Sequence, residues 1–336
     1  MEGNGDASIT KVSLSIDSLF RENYDNTNAS NFVCVLPAPI QNVLSMKVTA
    51  IEIPNFWYVF SSANRSNECI ITVYNYKIKN GNNTITNVPS TSYPIVFPEG
   101  NYVHVDFVNI MTAYFTNIGG GLNYIVVEID VNTGKTVFRA RHKIDSTLLP
   151  GPFDPSTPYY SPDFYFTLDF RLQDEVERPL YKNMGWTLGY TKEFYLVTSQ
   201  NSFSTLFIPN TLTTPNHIVE FKAYCRSEST YGNSLFNYIF LDIDDYNKSF
   251  SSDEIISCLP NEYLEGNNII ARITIHSTSN YINYTTASDA IIKTRKYFGP
   301  VTISAMNIRL LDKFGDILQL NGNDFSLLIE FTTIVV

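Results

Sequence analysis

Apolar and polar residues alternate along most of this chain, and the alternation is clearest at its end. Phe325, Leu327, Ile329 and Phe331 share one parity, while Asp324, Ser326 and Glu330 share the other. A period of two marks a half-buried strand. The run before it changes phase: Val301 and Ile303 are odd, Met306, Ile308 and Leu310 even. One extra residue near Ala305 predicts a β-bulge there. Arg295 to Phe331 therefore predicts a terminal hairpin, with Gly299-Pro300 setting its first turn and Gly315 the turn between strands. The apolar Thr332 to Val336 predicts burial at a sheet edge or against a neighbouring subunit.

The same pattern recurs upstream. Val12, Leu14 and Ile16 predict a first strand, and Phe32 to Leu36 a short one stopped by Pro37-Ala38-Pro39. Val43 to Pro54 follows with one change of phase. Further strands are predicted at Cys69–Tyr76, at Tyr93–Phe97 as an edge segment between prolines, and at Tyr124–Val131. Asn132-Thr133-Gly134-Lys135 predicts a hairpin turn into Thr136–Ala140. Loops are expected at Asn80–Asn83 and in the Pro-rich stretch from Leu149 to Pro162. Residues 106–118 break the period of two. Phe107, Ile110, Met111, Tyr114 and Phe115 fall at helical spacing, with Asp106 as N-cap and Gly119-Gly120-Gly121 as stop, so this is the one amphipathic helix expected.

The octet Asp163 to Phe170 echoes Asp324 to Phe331: both read Asp-Phe-x-apolar-x-aliphatic-acid-Phe. If each closes a domain, the chain divides into two tandem sandwiches, 1–172 and 173–336, with the polar run Gln173 to Pro179 as linker. The second half continues with Leu180–Tyr195 and with short strands at Thr205–Pro209, Ile218–Tyr224, Phe236–Ile243, Ile269–His276, Tyr281–Tyr284 and Ala290–Thr294. Short strands at such spacing predict an all-β, antiparallel sandwich or jelly-roll architecture.

Composition adds that the chain is packed rather than disordered: of 336 residues, 44% are hydrophobic and 17% charged. Tyr (22) and Phe (23) are abundant, which favours pleated sheets and interfaces. A net charge of −10 without a basic cluster argues against nucleic-acid binding. Cys34, Cys69, Cys225 and Cys258 form no CxxC pair and are expected as buried, reduced thiols. The polar, acidic start Met1 to Asp6 reads as neither signal peptide nor anchor, and no apolar run is long enough to cross a bilayer. Asn-x-Ser/Thr matches at Asn28, Asn64, Asn82, Asn247 and Asn283 are expected to arise by chance.

Candidate chemistry is sparse. His104, His142, His217 and His276 lie far apart and in no metal motif. Asp242-Ile243-Asp244-Asp245 places three carboxylates in four residues, which suit a divalent cation or, more simply, a solvated strand end. The triple glycine follows a helix, whereas a phosphate loop precedes one. No Gly-x-Ser-x-Gly, Walker lysine or GxGxxG turn is present. No catalytic, cofactor or metal residue is therefore assigned, and the chain is not expected to be an enzyme.

Several pieces, taken in order, resemble minor capsid or penton-like structural proteins of nucleocytoplasmic large DNA viruses. They are Pro98–Tyr102, Thr133–Thr136, Arg178–Trp186, Asp242–Tyr246, Tyr297–Val301, Arg309–Gly315 and Leu320–Ser326, and they span most of the chain. The departure is Asn321-Gly322-Asn323 with Leu328 beside it, which makes the last strand more apolar than that pattern. The resemblance implies a jelly-roll protein of an icosahedral capsid, made in the host cytoplasm and without a cofactor. Its partners would be the major capsid protein's capsomers and other minor capsid proteins, with self-association in a penton. A role cementing the shell is the leading expectation and a penton the alternative. From another class, Phe56-Trp57-Tyr58-Val59-Phe60 could be the sugar platform of a carbohydrate-binding or glycan-processing β-sandwich, against core or interface packing for the same run.

Overall fold

The structure, a computed structural model, describes residues 8–74, 77–79, 85–87, 89–140, 165–175, 177–198, 205–208, 217–220, 223–232, 237–251, 257–258, 263–264, 268–275, 281–284 and 290–335. The expected loops at 80–83 and 149–162, along with His142 and His276, lie outside the described residues. The chain begins with β1 (Ser8–Asp17) and β2 (Asn31–Pro54). It continues through β3 (Glu68–Tyr74), β4 (Lys77–Lys79), β5 (Ile85–Asn87), β6 (Thr91–Val96), helix α1 (His104–Ile118), β7 (Ile125–Ile129), β8 (Lys135–Ala140) and β9 (Tyr165–Asp169). A short helix α2 (Met184–Thr187) precedes β10 (Phe194–Val197), β11 (Thr205–Ile208), β12 (His217–Glu220) and β13 (Tyr224–Thr230). The rest comprises β14 (Tyr238–Asp244), β15 (Phe250–Ser251), β16 (Ser257–Cys258), β17 (Tyr263–Leu264), β18 (Ile269–Thr274), β19 (Tyr281–Tyr284), β20 (Ala290–Ile292), β21 (Thr294–Leu311) and β22 (Ser326–Val335). The protein is all-β and its paired strands are antiparallel, as the period of two predicts.

The division into tandem halves is not what forms. One compact unit is Met1–Tyr58 with Phe236–Val336, and the other is the stretch between them, Val59–Leu235. The second is an insertion into the first. The expected seam after Leu172 falls inside the inserted unit, because β9 before it pairs with β10 after it, Asp169 opposite Phe194. Nor is 173–179 a free linker: Arg65 reaches Asp174 at 2.8 Å and Glu175 at 3.0 Å, and Arg178 holds Glu175 at 2.8 Å.

In the discontinuous unit, the main sheet runs β1-β22-β2-β21-β14-β18-β20, with β15 beside β21 and β19 beside β2. First strand lies beside last and second beside next-to-last, the interleaving of a jelly-roll sheet, so the unit is jelly-roll-like. The expected terminal hairpin is therefore corrected: β2 separates β21 from β22 and pairs with both. The tail is no edge either, since β22 carries β1 on its other side through the pair Ser8–Val335.

The prolines do not stop β2. Between the pairs Val35–Ala305 and Ile40–Ile303, β2 advances five residues and β21 two, so Pro37-Ala38-Pro39 bulges out of one continuous strand. The irregularity lies beside the change of phase predicted near Ala305, although the extra residues belong to the partner strand. Between Val43–Val301 and Ser45–Lys296 the imbalance reverses, and Gly299-Pro300 occupies a bulge in β21 rather than a turn. Further along, β2 changes phase twice rather than once, with register shifts at Val43/Ser45 and Val48/Ala50. Met46, Val48, Ile51 and Ile53 stay buried across those shifts. From β22, Phe325, Leu327, Ile329 and Phe331 are buried, the parity the sequence predicts.

The inserted unit has the sheets β10-β9-β3-β6 and β13-β8-β7. Strand β6, with Pro94, is an edge as expected. Helix α1 starts at His104, so Asp106 lies in its first turn rather than at the N-cap. Its stop is the predicted Gly119, whose amide closes on Phe115 O at 2.9 Å. Phe107, Met111 and Phe115 join Phe60, Phe97, Phe166, Leu168 and Phe170 in one core. The octet echo acquires a physical meaning here. Strands β9 and β22 are both flanked on two sides, and the matching positions Phe166 and Leu168 in one and Leu327 and Ile329 in the other are buried, with Thr167 buried as well; Asp163 and Phe164 lie outside the described residues. Neither closes a tandem domain.

Candidate interaction surfaces and buried ion pairs

Of the four aspartate-rich positions, Asp242 comes first. Register places it opposite Arg309 on β21, and Arg309 Nε donates to its Oδ1 at 2.9 Å. Burial raises the Asp242 carboxyl above the ordinary value of 3.8, and Arg309 opposes that shift. Asp244 accepts the Tyr246 amide at 2.9 Å. Asp245 is fully buried and faces Arg295 Nη1 at 3.2 Å, while the Tyr297 hydroxyl donates to the same carboxylate. Arg295 Nη2 also donates to Ile243 O at 2.9 Å, and the guanidinium lies 4.3 Å above the Phe250 ring. Neither a cation loop nor a solvated strand end describes this stretch: two of its carboxylates are committed to arginines inside the sheet. Among the described residues, no group of three or more His, Cys, Asp and Glu is arranged to hold a metal.

Sequence reading missed this cluster, though its signal was present. Arg295 and Tyr297 have one parity on β21 and are buried, while Lys296 and Phe298 have the other and are exposed. A charged residue in phase with apolar ones needs a buried counter-ion.

A second network fastens the chain's two ends within the same unit. Ser18 N donates to Phe325 O and Phe325 N to Ser18 Oγ, both at 2.9 Å. Asp324 accepts from Arg21 Nη1 at 2.6 Å, Ser18 Oγ at 2.7 Å and Tyr24 Oη at 2.9 Å. Beside it lies a groove of about 430 Å³ lined by Asp17, Leu19, Glu52, Pro54, Asp324, Phe325 and Ser326. Its carboxylates already accept hydrogen bonds: Asp17 from the Leu19 amide, Glu52 from the Ser326 hydroxyl, and Asp324 from the three groups above.

The remaining chemistry-bearing residues are structural. Cys69 is buried and its thiol is pushed up to about 12 by burial and by Asp169. Cys225 is likewise pushed up to about 12 by burial and Glu228. Cys34 is half-buried and free, and the Cys258 side chain is outside the described residues. His104 packs edge-on against Tyr231 at 5.2 Å. In the aromatic run, Trp57 and Phe60 are buried, so the flat platform a sugar would need is not formed by the run as a whole. No helix among the described residues is long and apolar enough to cross a membrane.

What faces outward is apolar in places. Phe20 is 81% exposed and Phe298 75%, and Ile9, Val33 and Val35 are also exposed. Strand β1 is exposed along most of its length, and no described strand pairs with its other edge. The geometry thus defines an all-β, jelly-roll-like protein whose outward features are sheet faces and an edge.

No family model matches the chain, and no curated protein matches it. Among solved structures it is similar to the mavirus penton protein, with TM-score 0.42, 9% identity, and coverage of 98% of this chain and 100% of that one. It is also similar to a chain of the Sputnik virophage structure, with TM-score 0.40, 14% identity, and coverage of 96% and 98%. Likeness at this level carries no functional weight.

Proposed function

We propose that this chain is a structural protein of an icosahedral viral capsid, a minor component that cements the shell. The observation that carries the reading is the interleaving of β1, β22, β2 and β21. It ties both chain ends into one hydrogen-bonded plate, which suits a protein that works through rigid faces rather than a cleft. The ordered motifs that resemble minor capsid proteins support the same reading. So do the outward Phe20, Phe298 and Val35, since large apolar side chains at a surface suit subunit packing. On this reading the partners are major capsid capsomers and other minor capsid proteins, the location is the virion after assembly in the host cytoplasm, and no catalysis is involved. A penton at the five-fold vertices remains the alternative role.

Mass spectrometry of purified particles from the virus encoding this chain tests the proposal. Fixed stoichiometry relative to the major capsid protein is expected, and absence from the particle overturns it. A reconstruction of the particle then separates the roles: density between or beneath capsomers supports cement, and density confined to vertices supports a penton.

A further inference from the structure

Strand β1 is built to accept another strand. It runs ten residues, Ser8 to Asp17, and pairs with β22 without a register shift. Edge strands are normally blunted by prolines, bulges or inward charges. β1 has no proline, and its one lysine, Lys11, lies on the outer face against Glu330 at 2.9 Å. The direction of its backbone groups follows from the pairing. Ser18 N donates to Phe325 O at 2.9 Å, so even-numbered residues turn their amides and carbonyls towards β22. Ile9, Lys11, Ser13, Ser15 and Asp17 therefore turn theirs to the edge that no described strand covers. The even side chains Val12, Leu14 and Ile16 lie on the core face beside Phe331, Ile329 and Leu327, yet Val12 is still 37% exposed.

We propose that this edge pairs with β1 of a second copy of the chain, antiparallel about a two-fold axis through Leu14. The register is chosen by charge and apolar matching. Lys11 then faces the partner's Asp17, Val12 faces the partner's Ile16, Ser13 faces the partner's Ser15, and Leu14 faces its own counterpart. Both apolar faces stay on one side of the joined sheet, because the paired positions share parity. Lys11 opposite Asp17 also gives each end an opposite-charge pair. Among the described residues the strand at the sheet's other end, β20, is three residues long, so a head-to-tail β1–β20 contact there offers far fewer hydrogen bonds. The inference stands independently of the capsid reading.

Two variants and one size measurement test it. Sedimentation of the full chain at tens of micromolar is expected to show a dimer, and a monomer at that concentration overturns the proposal. Ser13→Pro removes an amide aimed at the free edge and leaves the amides bonded to β22 in place. It is expected to raise the dimer dissociation constant at least tenfold with the circular dichroism spectrum unchanged; an undiminished dimer overturns the proposal. Leu14→Cys reports register without relying on that substitution. Position 14 meets itself only in the proposed pairing, so mild oxidation should give a covalent dimer through Cys at 14 and not through Cys in Thr10→Cys. A larger oligomer without the position-14 crosslink, or equal crosslinking at position 10, refutes it.

Discussion

Asp245→Asn should destabilise the discontinuous unit by about 3 kcal/mol, the lower end of the range for breaking a buried ion pair. The side chains of Arg295 and Asp245 are 2% and 0% exposed, so the guanidinium that remains has no water to replace the lost carboxylate. The other groups around the guanidinium soften the loss and place the value low, Asn268 Oδ1 at 3.5 Å from Arg295 Nη2 among them. Ile243 O still accepts from Arg295 at 2.9 Å, and the Phe250 ring lies 4.3 Å beneath the cation. The contrast is Lys11–Glu330, a pair at the same kind of distance but 66% and 29% exposed. Lys11→Met should change stability by at most about 1 kcal/mol. Urea unfolding can be followed separately for this unit, because the chain's two tryptophans fall one to each: Trp57 is buried in the discontinuous unit and Trp186 lies in the inserted one. In a Trp186→Phe background, Trp57 fluorescence should report a midpoint lowered by about 1.5 M at a slope near ~2 kcal/mol/M. Adding Arg295→Met to Asp245→Asn should restore most of the loss, since an apolar replacement of both partners removes the stranded charge. A single-variant loss below about 1 kcal/mol, or a double variant whose losses simply add, would refute the reasoning.

Three further outcomes are expected. Phe331→Ala, at a fully buried position in a strand flanked on both sides, should cost about 3–5 kcal/mol by the same Trp57 assay, and a stable variant would mean the core is misplaced. Gly189→Ala should cost more than about 2 kcal/mol in the inserted unit, read by Trp186 fluorescence: Gly189 has φ +88°, and an added Cβ would lie 2.3 Å from Ser229 O. Acid should weaken the inserted unit through Glu228. Burial pushes that carboxyl up, but the Tyr195 hydroxyl at 2.7 Å and the Thr191 amide at 3.1 Å outweigh it and hold it below the ordinary 4.5. Its contribution is thus present above 4.5 and lost as pH falls through the lower folded value, so Glu228→Gln should flatten the stability curve there, measured by urea titration at successive pH values.

Local periods were enough to place several faces and some ends of elements. The parity at 325–331, the helix stop at Gly119 and the hairpin turn at 132–135 all reappear in the structure. Each depends on neighbours within a few residues. Partner choice does not, and there the sequence reading failed. A strand's period says which side is buried but not which strand lies beside it. Nothing local in Arg295 to Phe331 says that β2 inserts between β21 and β22. The prolines at 37 and 39 read locally as a stop, because the compensating bulge at Gly299-Pro300 lies on a strand far away in sequence. The acidic run at 242–245 read as solvated for the same reason: its arginines, 295 and 309, come from β21.

Insertion of one unit into the other sets which stretches each needs in order to close. The inserted unit is a continuous stretch, Val59–Leu235, and its core draws on residues from that stretch alone. The discontinuous unit cannot close until β21 and β22 exist, since they pair with β2 and β1 across most of the chain. Loop-closure entropy grows only logarithmically with loop length, so the inserted stretch is a modest thermodynamic burden. Kinetically the burden is larger, because long-range antiparallel pairing is slow and β1 and β2 expose unpaired edges while they wait. The Ser18–Phe325 and Arg21–Asp324 bonds lie at the end of β1 and the start of β22, where they fix the register of the two strands. The side chains that fix this register are polar and few, while the apolar alternation that buries the pair is spread along both strands.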